Sequence, residues 1–322
     1  MIRQLLYYEP QNSVPEALQV KNKMLTRATV LIATFLLAIP LIPVNAVSPA
    51  IVSFTPGTPN VDIGGTFAAS MLVSNAPNLI AYDITLIYNP DVLTATSATL
   101  SGTLFDPAVH NVFVARAENF PSVGLVRYAV TFFSGETANP SSTGSSVLNL
   151  NFHVNDPATV PTATASDYPA SIIVRSQIVI LSNGDALTIP SINNDGLYVP
   201  PADTALRSVG CRAVTGGLNI LAKGFNDGLF CRVTNTGAQS ITAVGIFSWQ
   251  SVGGQVGSTS SGLVTLSAGQ AGQLDATLTV ANANDIYIVT ATVARAITFA
   301  DGSVLTIPGP TSTFKVVVNT GL

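Results

Sequence analysis

The chain has 322 residues, 47% hydrophobic and only 9% charged, with a formal net charge of −4. That is apolar material for two cores at the usual ~100 to 200 residues per domain. It excludes a nucleic-acid binder, which needs clustered Lys and Arg to displace counterions.

Residues 1–46 read as a leader. Lys21, Lys23 and Arg27 precede the apolar run ATVLIATFLLAIPLIPV, and the run closes on VNA at Ala46, the three-part pattern of a secretory signal. Met24 alone opens a signal of ordinary length, so residues 1–23 read as an upstream start or a long basic region. Two prolines interrupt the run, which is shorter than the ~20 apolar residues of a spanning helix. The expectation is therefore cleavage near Ala46 and a secreted or cell-surface protein with no membrane span. Those 46 residues hold Arg3, Lys21, Lys23 and Arg27 against Glu9 and Glu16, which leaves nine basic and fifteen acidic residues, a net of −6, in the remainder.

After Val47 helical periodicity gives way to runs of four to eight residues rich in Val, Ile, Thr, Phe and Tyr between Gly, Pro, Asn and Asp clusters, the pattern of an all-β chain. In chain order the first half predicts strands at AIVSF, TFAASMLVS, IAYDITLIY, NVFVARA, LVRYAVTFF, SVLNLNFHV, SIIVRSQIVI and DGLYV. Eight or nine strands of this kind make a jelly-roll sandwich over residues 47–200. In IAYDITLIYNPDVL the alternation sends Tyr82, Ile84, Leu86 and Tyr88 to one face and Ala81, Asp83, Thr85 and Ile87 to the other. Pro90 presets the turn that follows, and Asn89 and Asp91 can bond nearby amides. The Pro200-Pro201 pair then breaks the pattern, and residues 201–210 read as a linker.

The second half, residues 211–322, predicts strands at GLNILAKGF, GLFCRVTNTG, ITAVGIFSWQS, GLVTLSAGQ, GQLDATLTV, DIYIVTATVARAI and TSTFKVVVN, which fits an immunoglobulin-like sandwich. Trp249, the only tryptophan, is expected to pack in its core. Cys211 and Cys231 are the only cysteines, and in an exported chain they are expected to form a disulfide. Closing that loop stabilises by about 3 kcal/mol in the chain-entropy picture.

Several first-half segments resemble, in order, the cohesin modules of cellulosome scaffolds and cell surfaces. VSFTPGTPNVDIGGTFAASMLVSNAPNL resembles the opening strand pair, IAYDITLIYNPDVLTATSA the hallmark strand and turn, and GLVRYAVTFFSGET, SSVLNLNFHV and NNDGLYV later strands. The resemblance implies a jelly-roll module that binds a dockerin-like or other envelope protein through one sheet face. By that pattern Asp83 falls at a partner-contacting position, with Thr85 beside it and Ala81 where the family often has Asn. The acidic residue expected near the end of VRYAVTFF falls on Phe132 or Phe133. CRVTNTGAQSI and LSAGQAGQLDATLTV resemble adhesion-type Ig-like repeats, which implies a spacer or docking role for the second half.

Catalysis and cofactors are not expected. Beyond residue 46 the only histidines are His110 and His153 and the only glutamates Glu118 and Glu136; the thirteen aspartates sit mostly beside Gly, Asn or Pro and read as turn formers. Neither Gly-x-Ser-x-Gly nor His-Glu-x-x-His occurs. The run Asn193–Gly196 could offer oxygens to calcium, but a hairpin turn accounts for it, so no metal is expected. Two further readings stand beside the protein-binding one. The first is a polysaccharide-binding module using Tyr82, Tyr88, Phe113, Tyr128, Phe132 and Phe133; the second is a self-assembling subunit of a surface filament or layer, joined through open sheet edges.

Overall fold

The computed structural model describes residues 48–133, 135–213, 220–222, 226–279 and 285–319. The expected leader at 1–46 lies outside the described residues, as does most of GLNILAKGF.

Alternation of apolar and polar residues builds eleven strands in the first half: β1 (Ala50–Thr55), β2 (Thr66–Ser74), β3 (Leu79–Tyr88), β4 (Leu93–Thr99), β5 (Val112–Phe120), β6 (Leu125–Phe132), β7 (Ser145–Val154), β8 (Ala170–Ser182), β9 (Asp185–Ile189), β10 (Ser191–Asn194) and β11 (Gly196–Tyr198). They form a jelly-roll sandwich. One sheet runs β10-β1-β2-β7-β4 and the other β11-β8-β3-β6-β5, with β9 pairing the outer part of β8. All neighbouring pairs are antiparallel except β1 with β10.

Two aromatic clusters join the layers. Phe152 of β7 stacks on Phe67 at 5.3 Å and meets the edges of Phe54 and Tyr88 at 6.0 and 5.3 Å. Phe105 stacks on Phe132 at 4.3 Å and meets Tyr82 at 4.9 Å. Tyrosine hydroxyls then cross between the sheets. Tyr82 donates to the Val147 carbonyl at 2.7 Å and Tyr128 to the Ala98 carbonyl at 2.8 Å, while Tyr88 accepts from the Ala95 amide at 3.2 Å. Each such bond satisfies a polar group that would otherwise be stranded in the core.

The second half folds as another two-sheet sandwich: β12 (Leu206–Ala213), β13 (Ile220–Ala222), β14 (Asn226–Asn235), β15 (Ile241–Ser251), β16 (Val256–Ser260), β17 (Val264–Leu266), β18 (Ala271–Thr279), β19 (Asp285–Thr298) and β20 (Val304–Asn319). A small sheet β12-β14-β18 covers a larger one, β13-β20-β19-β15-β16, with β17 also on β15. Trp249 packs partly buried against this core, over Gly257 on the paired strand, where a Cβ would meet the indole at 2.5 Å.

Cys211 and Cys231 are bonded to each other. They are direct register partners on β12 and β14, so the bridge is a rung within one sheet and does not tie the two sheets together.

Residues 206–210, inside the stretch read as a linker, are the first part of β12. Ahead of them the Asp203 carboxylate accepts the amides of Ala205 and Leu206 at 2.8 and 2.9 Å, its own amide donates to the Pro308 carbonyl at 2.9 Å, and Arg295 lies 4.0 Å away. The β19–β20 hairpin reaches the first sandwich. Phe299 at its tip is 4% exposed within the first core, 6.0 Å from the Tyr168 ring, and the Ala165 amide donates to Ser303 Oγ at 2.9 Å. Strands β4, β9, β10, β12 and β16 are additional to those expected. β9, β10 and β16 are five residues or shorter, and β4 and β12 hold few of the large apolar residues that mark the other strands.

Two predictions follow from this packing. Reduction, or Cys231→Ser, lowers stability by about 3 kcal/mol because the bridge closes a loop with a separation of 20 residues; urea unfolding with and without reductant measures it. The tyrosines separate by environment. Tyr82→Phe costs about 1 kcal/mol by stranding the Val147 carbonyl, whereas Tyr168→Phe is neutral or stabilising because its buried hydroxyl has no partner.

Burial, together with the carboxylates of Asp167 and Asp156, pushes the Tyr168 hydroxyl from 10.0 up to about 12, and burial raises Tyr82 and Tyr198 in the same direction. A raised folded value leaves stability intact below pH ~10, the unfolded value, and removes it as pH climbs through the folded one. Urea midpoints therefore fall between pH 10 and 12.

Candidate functional site

β3 lies mid-sheet between β8 and β6. Tyr82, Ile84, Leu86 and Tyr88 are at most 4% exposed, so Ala81, Asp83, Thr85 and Ile87 project from the opposite face, as alternation requires. Antiparallel register extends that face sideways in rows across β8, β3, β6 and β5. One row is Gln177, Asp83, Ala129 and Arg116; the next is Arg175, Thr85, Arg127 and Glu118.

Asp83 and Arg127 form a two-point ion pair. Nε reaches Oδ1 at 3.1 Å and Nη2 reaches Oδ2 at 2.6 Å. The hydrogen bond to Asp83 holds the guanidinium pKa above its already high ordinary value. With side chains 33% and 26% exposed, the pair adds little to stability, but it holds both groups in one geometry. Arg116 and Glu118 approach at 3.8 Å. Arg175 has no ion pair among the described residues. Asp83, Thr85, Arg127, Arg175, Ser176 and Gln177 line a shallow depression of about 200 Å³.

Apolar side chains flank this charged centre on both sides. Toward one end the row Ile173, Ile87, Leu125 and Phe120 places Ile87 and Phe120 in solvent at 43% and 48% exposure. Toward the other, Phe113 is exposed and meets the exposed Phe133 edge-on at 5.6 Å.

The structure therefore brings Ala81, Asp83 and Thr85 onto one outward strand face, and it alters the expectation for Asp83, whose two oxygens are already engaged by Arg127. Of the two phenylalanines at the expected acidic position, Phe132 belongs to the core and Phe133 to the surface. Arg127, Arg175 and Phe120 are face residues not singled out from sequence, where alternation places Ile87 with Ala81, Asp83 and Thr85. The alternation of LVRYAVTFF and SIIVRSQIVI, read against buried Val126 and Val174, is the signal that marks their arginines as outward.

The six aromatics weighed for sugar stacking do not form a platform. Tyr82, Tyr88 and Phe132 are buried, Tyr128 is half-buried with its hydroxyl on the Ala98 carbonyl, and only Phe113 and Phe133 are exposed. The run Asn193–Gly196 is not a hairpin turn. It carries the chain from β10 in one sheet to β11 in the other, with Asp195 Oδ1 accepting the Val174 amide at 2.7 Å and Asn193 Oδ1 the Ser176 hydroxyl at 2.6 Å. His110 pairs with Glu136 against the Phe132 ring, and His153 lies on β7 between Thr66 and Thr94. Among the described residues no three His, Cys, Asp or Glu side chains converge as a metal would require, and no helix is long and apolar enough to cross a membrane.

Fold and face together define a jelly-roll sandwich protein with a mixed charged and apolar sheet surface turned to solvent. Among solved structures the chain is similar to the seventh ScaB type I cohesin of Pseudobacteroides cellulosolvens, at 18% identity and TM-score 0.37, covering 48% of this chain and 94% of that one. It is also similar to a type I cohesin–dockerin complex of Clostridium thermocellum, at 9% identity and TM-score 0.36, over 48% of this chain and 99% of that one. A third is the non-cellulosomal cohesin of Archaeoglobus fulgidus, at 12% identity and TM-score 0.32, over 47% and 90%. No protein-family profile matches the chain, and no curated protein matches it in sequence.

Neighbouring residues of β3 should respond oppositely to substitution. Asp83→Asn leaves the melting temperature near wild type, whereas Ile84→Ala, fully buried beside it, costs about 2 to 5 kcal/mol. Thermal and urea unfolding of the two variants measure the contrast.

Proposed function

We propose that this chain is an exported, non-catalytic binding protein whose first sandwich docks a protein partner, dockerin-like or another envelope component, on the outward face of β8, β3, β6 and β5. The observation that carries this is the placement of Ile87 and Phe120 at one end and Phe113 and Phe133 at the other, around a pre-formed Asp83–Arg127 pair. Protein interfaces combine apolar anchors that lose water on contact with charged groups that select the partner. Neighbouring exposed apolar side chains on a sheet face are best explained by such contact. The resemblance of IAYDITLIYNPDVL and its neighbours to cohesins adds the expectation of a dockerin-like ligand.

Occupation of both Asp83 oxygens changes how the face selects. Arg175 is the cation left without a carboxylate, so the partner contributes an acidic group there, while apolar contact supplies most of the affinity. The second sandwich, Ig-like in sequence pattern, acts as a fixed support for the first.

Capture from the native envelope tests this reading. Wild-type chain retains a protein ligand, Ile87→Asp and Phe120→Asp lose it by at least about tenfold, since each removes a hot-spot anchor worth 2 kcal/mol or so, and Asp83→Lys weakens it by placing like charge against Arg127. Equal retention by wild type and all three variants excludes this face as the binding surface.

A further inference from the structure

The second sandwich carries a different kind of surface on the outer face of β12-β14-β18. Each cysteine is followed by arginine, Cys211-Arg212 and Cys231-Arg232. Cys231 and its neighbours Leu229 and Val233 turn to the core, and alternation sends the arginines outward. Arg212 is opposite Phe230 and Arg232 opposite Gly210, so the two guanidinium groups stand at diagonal corners of the disulfide rung. The bridge thereby sets the register between them. Arg207, opposite Thr234, is a third on the same face.

All three arginines are exposed, and none has an ion pair among the described residues. The carboxylate nearest them on this face, Asp275, is opposite Phe230 and accepts from Gln273 Nε2 at 2.7 Å. Arg212 Cζ lies over the Phe230 ring, 5.0 Å from its centroid; Phe230 is 7% exposed and serves as a floor that limits the guanidinium's motion. Gly210 leaves the space above it open, and with Cys211, Arg212, Phe230 and Arg232 it lines a depression of about 230 Å³. One third of the nine basic residues beyond position 46 are thus gathered on one small sheet of an otherwise acidic molecule.

We propose that this face binds an acidic polysaccharide, with an anionic group of the polymer held between Arg212 and Arg232 and a further one at Arg207. Guanidinium forks match carboxylate, sulfate and phosphate oxygens in two-point contacts. The bulge between Ser208 and Gly210 keeps Arg207 on the face of Arg212; their partners Thr234 and Phe230 are four residues apart, so the two lie about 13 Å apart at ~3.3 Å per residue, a strip suited to a repeating polymer more than to a single small anion. The face offers no apolar anchor of the kind a protein partner uses, since no large hydrophobic side chain described on β12, β14 or β18 is exposed. Thr234, opposite Arg207, and Gln273, opposite Arg232, instead place hydroxyl and amide groups beside the arginines, partners for sugar hydroxyls.

The test is titration of the whole chain by calorimetry with polygalacturonate, dextran sulfate, uncharged dextran and poly-glutamate, each at low and physiological salt. The expected result is binding of the two acidic polysaccharides, weakened by salt, no binding of dextran, and weaker or no binding of poly-glutamate. Arg232→Gln weakens binding about tenfold through loss of charge-assisted contacts, and the triple variant at Arg207, Arg212 and Arg232 to Gln abolishes it. Arg212 props Phe230, so Arg207→Gln and Arg232→Gln carry the comparison should the triple variant unfold; the disulfide and melting temperature are checked in each. Ile87→Asp leaves glycan binding intact, which separates this site from the docking face. Equal binding of dextran, binding of poly-glutamate alone, no binding of any polymer, or binding indifferent to the arginine variants each overturns the proposal.

Discussion

The first sandwich depends on the two-residue period of β3. A strand at the centre of a sheet has no freedom in where its side chains go. Once Tyr82, Ile84, Leu86 and Tyr88 are in the core, Ala81, Asp83, Thr85 and Ile87 must face water, and a slip by one residue would exchange the two sets. The tyrosine hydroxyls reinforce the choice. Tyr82 and Tyr88 end on backbone groups of β7 and β4 across the core, so a slipped strand would lose apolar burial and leave the Val147 carbonyl and Ala95 amide without those partners. The outward face of β3 is thus a consequence of how the core is filled.

That face is electrostatically settled before any partner arrives. Asp83 and Arg127 neutralise each other at hydrogen-bond distance, which lowers the cost of covering them compared with two separate charges. The arginines of the second sandwich present the opposite situation. Among the described residues Arg207, Arg212 and Arg232 have no carboxylate partner, so an anionic group meeting them would find their charge uncompensated. One molecule therefore carries a surface that is neutralised internally and flanked by apolar groups, and another that is uncompensated and wholly polar. Such surfaces suit ligands of different chemistry.

Much of this architecture was legible in the sequence because runs such as TFAASMLVS and ITAVGIFSWQS are apolar-rich, carry β-branched and aromatic residues and are bounded by turn-forming residues, and these strands begin and end at the expected residues. The Cys211–Cys231 bond was legible from the cysteine count together with the expectation of export. Strands such as β4, LTATSAT, were not, since small and hydroxyl residues become strand only when a neighbour such as β7 supplies the ladder. The Asp83–Arg127 pair joins residues 44 positions apart, and no local pattern reports which outward residues of two strands share a row. Register is a tertiary fact, and the same is true of the strand switch at Asp195, where a turn-like Asn-Asn-Asp-Gly sequence passes from one sheet to the other.

The hairpin joining β19 and β20 has a consequence for the two proposed surfaces. With Phe299 lodged in the first core and Ser303 bonded to Ala165, the two sandwiches share a joint instead of trailing on a flexible tether. A partner gripping the sheet face and a polymer lying along the arginine strip would then be held at a set separation and angle, like objects in the jaws of a caliper. For two ligands that belong to one surface, geometry of this kind raises the effective concentration of the second contact once the first is made. For ligands spaced differently it would forbid simultaneous engagement, and the joint would then sort surfaces by the distance between their features.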